Sequence, residues 1–104
     1  MAKLEITKMI TVSTWHVKEE TCKWLSEVCE GQQPDDSFPP FYKKGEYGFF
    51  VYCDSTSIDK ALDVEDFPED LMAAMFSAFI KGCELLCLDS DGPITKGFER
   101  YKWR

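Results

Sequence analysis

The stretch LLCLDSDGPI, Leu85 to Ile94, has the outline of a catalytic motif. An apolar run ending in Asp89-x-Asp91-Gly92 can place a nucleophilic aspartate at a strand tip for phosphoryl transfer, or begin a calcium loop. The first chemistry also needs magnesium, a lysine and further acids from later strands. Only twelve residues follow Gly92, and none is an aspartate. With Asp89 and Asp91 at positions three and five of a calcium loop, positions one and twelve fall on Cys87 and Phe98, which supply no carboxylate oxygen. A tight turn accounts for the same residues: Asp89 caps its own turn and Gly92 takes positive φ. Neither a metal nor any other cofactor is expected.

His16 is the single histidine, close to Ser13 and Thr14, and five cysteines (Cys22, Cys29, Cys53, Cys83, Cys87) lie elsewhere. A Ser/His or Cys/His pair would make a small enzyme, which is the weaker alternative for this chain. No orienting acid or oxyanion hole is identifiable. A histidine at a strand-to-helix junction also suits turn hydrogen bonding. The cysteine count is odd, all five sit among apolar neighbours, and there is no CxxC pair. Zinc needs about four closely paired ligands, so these cysteines read as reduced core residues.

GEYGFFVY, Gly45 to Tyr52, is compared with the RNP1 strand of RNA-recognition motifs, in which alternate aromatics stack on bases. Tyr47, Gly48, Phe49 and Tyr52 match that pattern; Gly45, Glu46 and Phe50 depart from it. The first strand offers Ile10-Thr11-Val12 and no second stacking aromatic. Nucleic-acid binding is therefore the alternative reading. The alternation itself is informative, because strand side chains point to opposite faces in turn. Tyr47, Phe49 and Val51 share one face, Phe50 and Tyr52 the other, and both faces are apolar. A two-layer domain covers only one face with helices. The Tyr47, Phe49 and Val51 face is expected to need a cover: the C-terminal tail with Phe98, Tyr101 and Trp103, a protein partner, or a second copy in a homodimer. Leaving several aromatics of about 150–250 Å² each in water invites association.

Charge opposes the nucleic-acid reading. The formal net charge is −7, and binding to phosphates depends on Lys and Arg. From Asp54 to Asp70 there are seven acids and one base, Lys60. Asp63, Glu65 and Asp66 in that stretch are the expected second contact surface, either for a basic partner or as a phosphate-mimicking patch. The tail from Lys96 to Arg104 carries four bases and one acid.

The elements that position these residues follow from periodicity. Ile6 to Val12 reads as a strand. A helix is expected over roughly Lys18 to Glu30, with apolar Cys22, Leu25, Val28 and Cys29, acidic Glu19 and Glu20 in its first turn, and Gly31 after it. The loop Gln32 to Pro40 contains three prolines. Strands Phe41 to Lys44 and Tyr47 to Asp54 flank Gly45-Glu46 as a two-residue type II′ hairpin. Ser55 to Glu65 reads as an acidic loop. A second helix is expected from Pro68 to Lys81, ended by left-handed Gly82, then a strand from Cys83 to Leu88 and one or two more in the tail. The order β-α-β-β-α-β predicts a single α+β domain, residues 1–104, with a two-layer, ferredoxin-like antiparallel sheet and a C-terminal extension.

Three stretches taken together, KMITVSTWH, KKGEYGFFVY and GCELLCLDSDGP, resemble an uncharacterised family of small bacterial proteins, found also on mobile elements and known as a domain of unknown function. That resemblance implies a bacterial cytosolic setting and brings no activity, cofactor or catalytic residue. The chain has no apolar run of about 18 residues, so no membrane association is expected. It also has no signal-peptide pattern, so the expected location is the cytoplasm. The main functional expectation is a small protein–protein interaction or inhibitor module.

Overall fold

The structure, a computed structural model, describes residues 7–30, 41–45 and 48–101. Among these residues four strands form one sheet: β1 (Met9–Ser13), β2 (Phe41–Lys43), β3 (Gly48–Tyr52) and β4 (Leu85–Asp89), in the spatial order β1-β4-β3-β2. Strand β4 lies inside, parallel to β1 and antiparallel to β3, while β3 pairs antiparallel with β2. A central strand is covered by neighbours on both edges, and Leu86, Cys87 and Leu88 are fully buried there. This explains why the strand reads as a continuous apolar run rather than an alternating one.

The described α-helices that join the strands are α1 (Glu19–Glu30), α2 (Ser55–Leu62) and α3 (Glu69–Ile80). Helix α1 connects β1 and β2, which lie at opposite edges of the sheet, so the chain crosses the whole sheet in one step. Its Trp24 ring meets Phe41 of β2 edge-on, with centroids 5.9 Å apart. Helices α2 and α3 link β3 to β4. All three helices bury residues in one core cluster: Leu25 from α1, Ile58 and Ala61 from α2, Leu71, Met75 and Ala78 from α3. The sheet residues in that cluster are Val12, Phe41, Phe49, Val51, Leu86 and Leu88, and the cross-strand register places them on a single face. The helices thus cover one side of the sheet.

The mixed α+β class and the four main strands agree with the expectation, but the ferredoxin-like antiparallel arrangement does not. A split βαβ unit would set the first strand inside the sheet. Among the described residues β1 is an edge strand, and its pairing, with β4, is parallel. The acidic loop expected from Ser55 is also corrected, because its first eight residues are helix α2. Asp54 has extended backbone and its carbonyl accepts from Ile58 N–H, which starts the helix, while Ser57 Oγ donates to the Asp54 carboxylate. Ser57, Ile58 and Ala61 supply the inward side.

The hairpin is one residue longer than expected. Lys43 pairs with Phe49, and Lys44 N–H donates to Gly48 O, so three residues, Gly45 to Tyr47, separate the ends instead of two. Gly82, at φ 85°, ends α3 as anticipated: its N–H donates to Phe79 O and Cys83 N–H to Ala78 O, the paired bonds of a Schellman cap. No strand follows Asp89 among the described residues. Ile6, Gly31, the loop Gln32 to Pro40 and Trp103 lie outside the described residues.

Candidate interaction surface

Because neighbouring strands are in register, one parity of residues lines the core and the other lines the helix-free face. Pairing sets Phe49 beside Leu88 and Lys43, and Val51 beside Leu86 and Phe41. Phe49 and Val51 are therefore core residues, both buried. This corrects the expectation that they form the open face. Tyr47, grouped with them, lies outside the described residues. The helix-free face carries the opposite parity: Met9 and Thr11 of β1, Leu85 and Cys87 of β4, Phe50 and Tyr52 of β3, and Tyr42 of β2.

Tyr42 and Met9 are exposed, while Thr11, Phe50, Tyr52 and Leu85 are half-buried. The Tyr42 and Tyr52 rings meet edge to face at 6.1 Å and 73°. Cys87, at the middle of this face, is fully buried yet absent from the core cluster. Burial raises its thiol pKa, and a hydrogen bond with Thr11 partly offsets that rise. The rim is charged. Lys44 Nζ lies 2.8 Å from Asp89 Oδ2. That hydrogen bond, together with one from Asp91 N–H, holds the Asp89 carboxyl below its usual range. The same bond to Asp89 raises the Lys44 ammonium. An exposed pair of this kind contributes little to stability.

The described part of the tail, to Tyr101, is held away from this face. It folds back along a 3₁₀ turn, Thr14–His16, that follows β1. Ser13 N–H donates to Pro93 O at 2.9 Å and Tyr101 N–H to Trp15 O at 2.7 Å. His16 supplies the middle of this latch. Thr95 N–H donates to its Nε2 at 2.9 Å, and its Nδ1 lies 2.6 Å from Glu99 O. An N–H can only donate and a carbonyl can only accept, so the two partners place the ring proton on Nδ1. The ring is buried and packs against Phe98, at 5.3 Å between centroids. With both nitrogens committed to backbone and the ring closed to solvent, His16 has no free acceptor for a substrate proton. The enzyme alternative loses its central residue. Phe98 joins the core, Tyr101 lies 5.8 Å under Lys18 Nζ, and Arg100 stacks over Trp15 at 5.3 Å.

The Asp-x-Asp-Gly motif is a turn. Asp91 N–H donates to Asp89 Oδ1 at 2.9 Å and Gly92 N–H to Asp89 O at 2.8 Å, so Asp89 does cap its own turn. The need for glycine has a different cause from the one expected. Gly92 has no positive φ; instead, a Cβ there would stand 2.6 Å from Val12 O and 2.7 Å from Val12 C. The turn passes directly against the β1 backbone. Asp63, Glu65 and Asp66 are exposed on the turn between α2 and α3, and Asp66 sits at φ 60°. Asp70, read in the sequence only as one acid of the Asp54 to Asp70 stretch, is buried in the first turn of α3, and its Oδ2 accepts from Lys18 N–H at 2.7 Å at the start of α1. Its position in an acidic stretch gave no sign of burial.

Among the described residues, no group of three or more His, Cys, Asp or Glu could hold a metal ion. The cysteines of the described residues are free thiols. No described helix is long and apolar enough to cross a membrane. Comparison with curated proteins gives no match, and neither does comparison with solved structures. The model of a family of unknown function, the DUF5983 C-terminal domain, matches residues 9–103, and the chain belongs to that family.

Proposed function

We propose that this domain is a protein-interaction module and that the helix-free face of its sheet is the contact surface. The observation that carries the reading is the set Met9, Tyr42, Phe50, Tyr52 and Leu85, which shares one sheet face while every described helix buries its residues on the other. Interface centres favour Tyr, Phe and Met and are poor in charge, with polar groups at the rim. Here Lys44 and Asp89 occupy that rim. The exposed acids Asp63, Glu65 and Asp66 are a second surface in this reading, suited to a basic partner, as an inhibitor would use.

Two features weigh against a single-stranded nucleic acid on the same face. The net charge of −7 repels phosphates, and the edge-to-face Tyr42–Tyr52 pair does not offer parallel ring faces for successive bases. The test is affinity capture from native lysate with the wild-type chain, Tyr42→Ala/Tyr52→Ala, and the core variant Phe49→Leu. A protein retained by wild type and Phe49→Leu but lost by the double variant supports the reading. An identical set captured by all three refutes it. A salt-dependent gel shift abolished by the double variant would establish the nucleic-acid alternative instead.

A further inference from the structure

Helix α3 presents a second uncovered apolar surface, on the opposite side of the molecule from Tyr42. Its inward residues Leu71, Ala74, Met75 and Ala78 are buried. Outward, Phe76 is 38% exposed, Phe79 41% and Ile80 80%, and Leu62 at the end of α2 is 61% exposed. A cleft of about 320 Å³, lined in part by Leu62, Val64, Phe67 and Met72, opens beside the first turn of α3. No ionisable residue occurs from Leu71 to Ile80. Taking about 200 Å² for a full side chain, these four residues together leave on the order of 400 Å² of apolar surface in water, the size of the largest and often functional apolar patch of a domain.

We propose that the occupant is a second copy of the chain, with the two α3 helices packed antiparallel about a two-fold axis between Ala73 and Phe76. The size pattern sets this register. The outermost stripe runs Glu69, Ala73, Phe76, Ile80, at helical intervals of four, three and four residues. Reversal about its midpoint lays Phe76 over the partner's Ala73, and Ile80 over the methylenes of the partner's Glu69 at the mouth of the cleft. Large meets small at Phe76 and Ala73, and the same two contacts recur on either side of the axis, as an isologous contact requires. Parallel packing would instead set phenylalanine on phenylalanine and carboxylate on carboxylate.

Charge agrees with the antiparallel choice. Glu69 closes one end of the stripe, and Lys81 lies beyond the other, with its ammonium against Gly97. Asp54 and Glu84 stand off the stripe, beside Phe79. The helix dipoles also oppose each other in this arrangement.

Sedimentation of the full chain over a wide concentration range tests the proposal, because Ala73 is exposed and its substitution leaves the core intact. The wild-type chain is expected to dimerise. Ala73→Phe sets large on large and should weaken the dimer roughly tenfold or more. Ala73→Phe/Phe76→Ala restores a large–small pair and should recover most of that loss. Tyr42→Ala should leave the dimer unchanged, which keeps this surface separate from the sheet face. A chain monomeric at every concentration overturns the proposal, as does a dimer indifferent to Ala73→Phe, or a dimer not recovered in the double variant when its circular dichroism and melting match those of Ala73→Phe.

Discussion

Truncating Phe49 and truncating Tyr42 should have very different consequences, although both are aromatic residues of one hairpin. Phe49 is 6% exposed and lies between Leu88 and Lys43 on the helix-covered face. Replacing it with alanine removes most of an aromatic side chain from a packed core and leaves a cavity, at a cost of about 3–5 kcal/mol. Tyr42 is 54% exposed and loses mainly its edge contact with Tyr52, worth about 0.5–1 kcal/mol. A domain of this size has about 5–15 kcal/mol of stability in all, so Phe49→Ala removes a large share and Tyr42→Ala very little. At about 4–8 °C per kcal/mol, the first should lower Tm by tens of degrees and the second by a few. Urea unfolding followed by tryptophan fluorescence reads both, with Trp24 packed against Phe41 as the reporter. Equal slopes for the two variants would confirm that the difference is one of stability rather than of the unfolded state. Comparable losses for the two, or a loss below about 1 kcal/mol for Phe49→Ala, would refute the face assignment.

The remaining predictions concern the latch and the thiols. His16→Ala leaves Thr95 N–H and Glu99 O without their partner, and at about 1–3 kcal/mol for each unmet group it should destabilise the chain by several kcal/mol. Amide exchange should quicken first at Thr95 and Tyr101; unchanged exchange there would show that His16 does not hold the tail. Burial pushes the Cys22 and Cys53 thiols from 9.0 up to about 12, with nearby acids adding to both and Cys83 to the second. The folded state therefore keeps both protonated. Their contribution to stability is complete below pH 9 and is lost as pH rises from 9 toward 12. Denaturation midpoints against pH should show that decline, and Cys22→Ala/Cys53→Ala should flatten it. A profile that falls equally in the double variant would assign the decline to other groups.

Elements with local signals were legible in the sequence. Glu19 and Glu20 mark the start of α1, and Gly82 marks the end of α3 through its cap. The turn at Asp89 was readable because an Asx turn needs only the residues within it. What could not be read depends on distant partners. Phe49 and Val51 are indistinguishable by type from Phe50 and Tyr52; the face on which the helices pack decides between them. That choice follows from cross-strand neighbours Leu86 and Leu88, 35 or more residues away in sequence. The parallel β1–β4 pair joins residues more than seventy positions apart, and nothing in either strand encodes its direction. Helix α2 was hidden because Ser, Thr and Asp favour loops as readily as helix starts, and its inward side is short, with Ser57 on it. His16 looked chemically available because its two backbone partners lie in a tail without regular secondary structure.

The two proposed surfaces lie on opposite layers of the molecule, and this geometry has a consequence for binding strength. Helix α3 covers one side of the sheet, and Tyr42 projects from the other. A dimer closed through α3 therefore keeps both sheet faces outward and identical. A partner that carries two copies of its own contact site on a linker long enough to reach around the dimer would engage both faces at once. Its second contact would then form at an effective concentration set by the span between the faces, and avidity would exceed single-site affinity by orders of magnitude. A monovalent fragment of the same partner would gain nothing from the dimer. Ala73→Phe should accordingly weaken capture of a bivalent partner while leaving the affinity for its monovalent fragment unchanged. Equal weakening of both would mean that α3, rather than the sheet, contacts the partner directly.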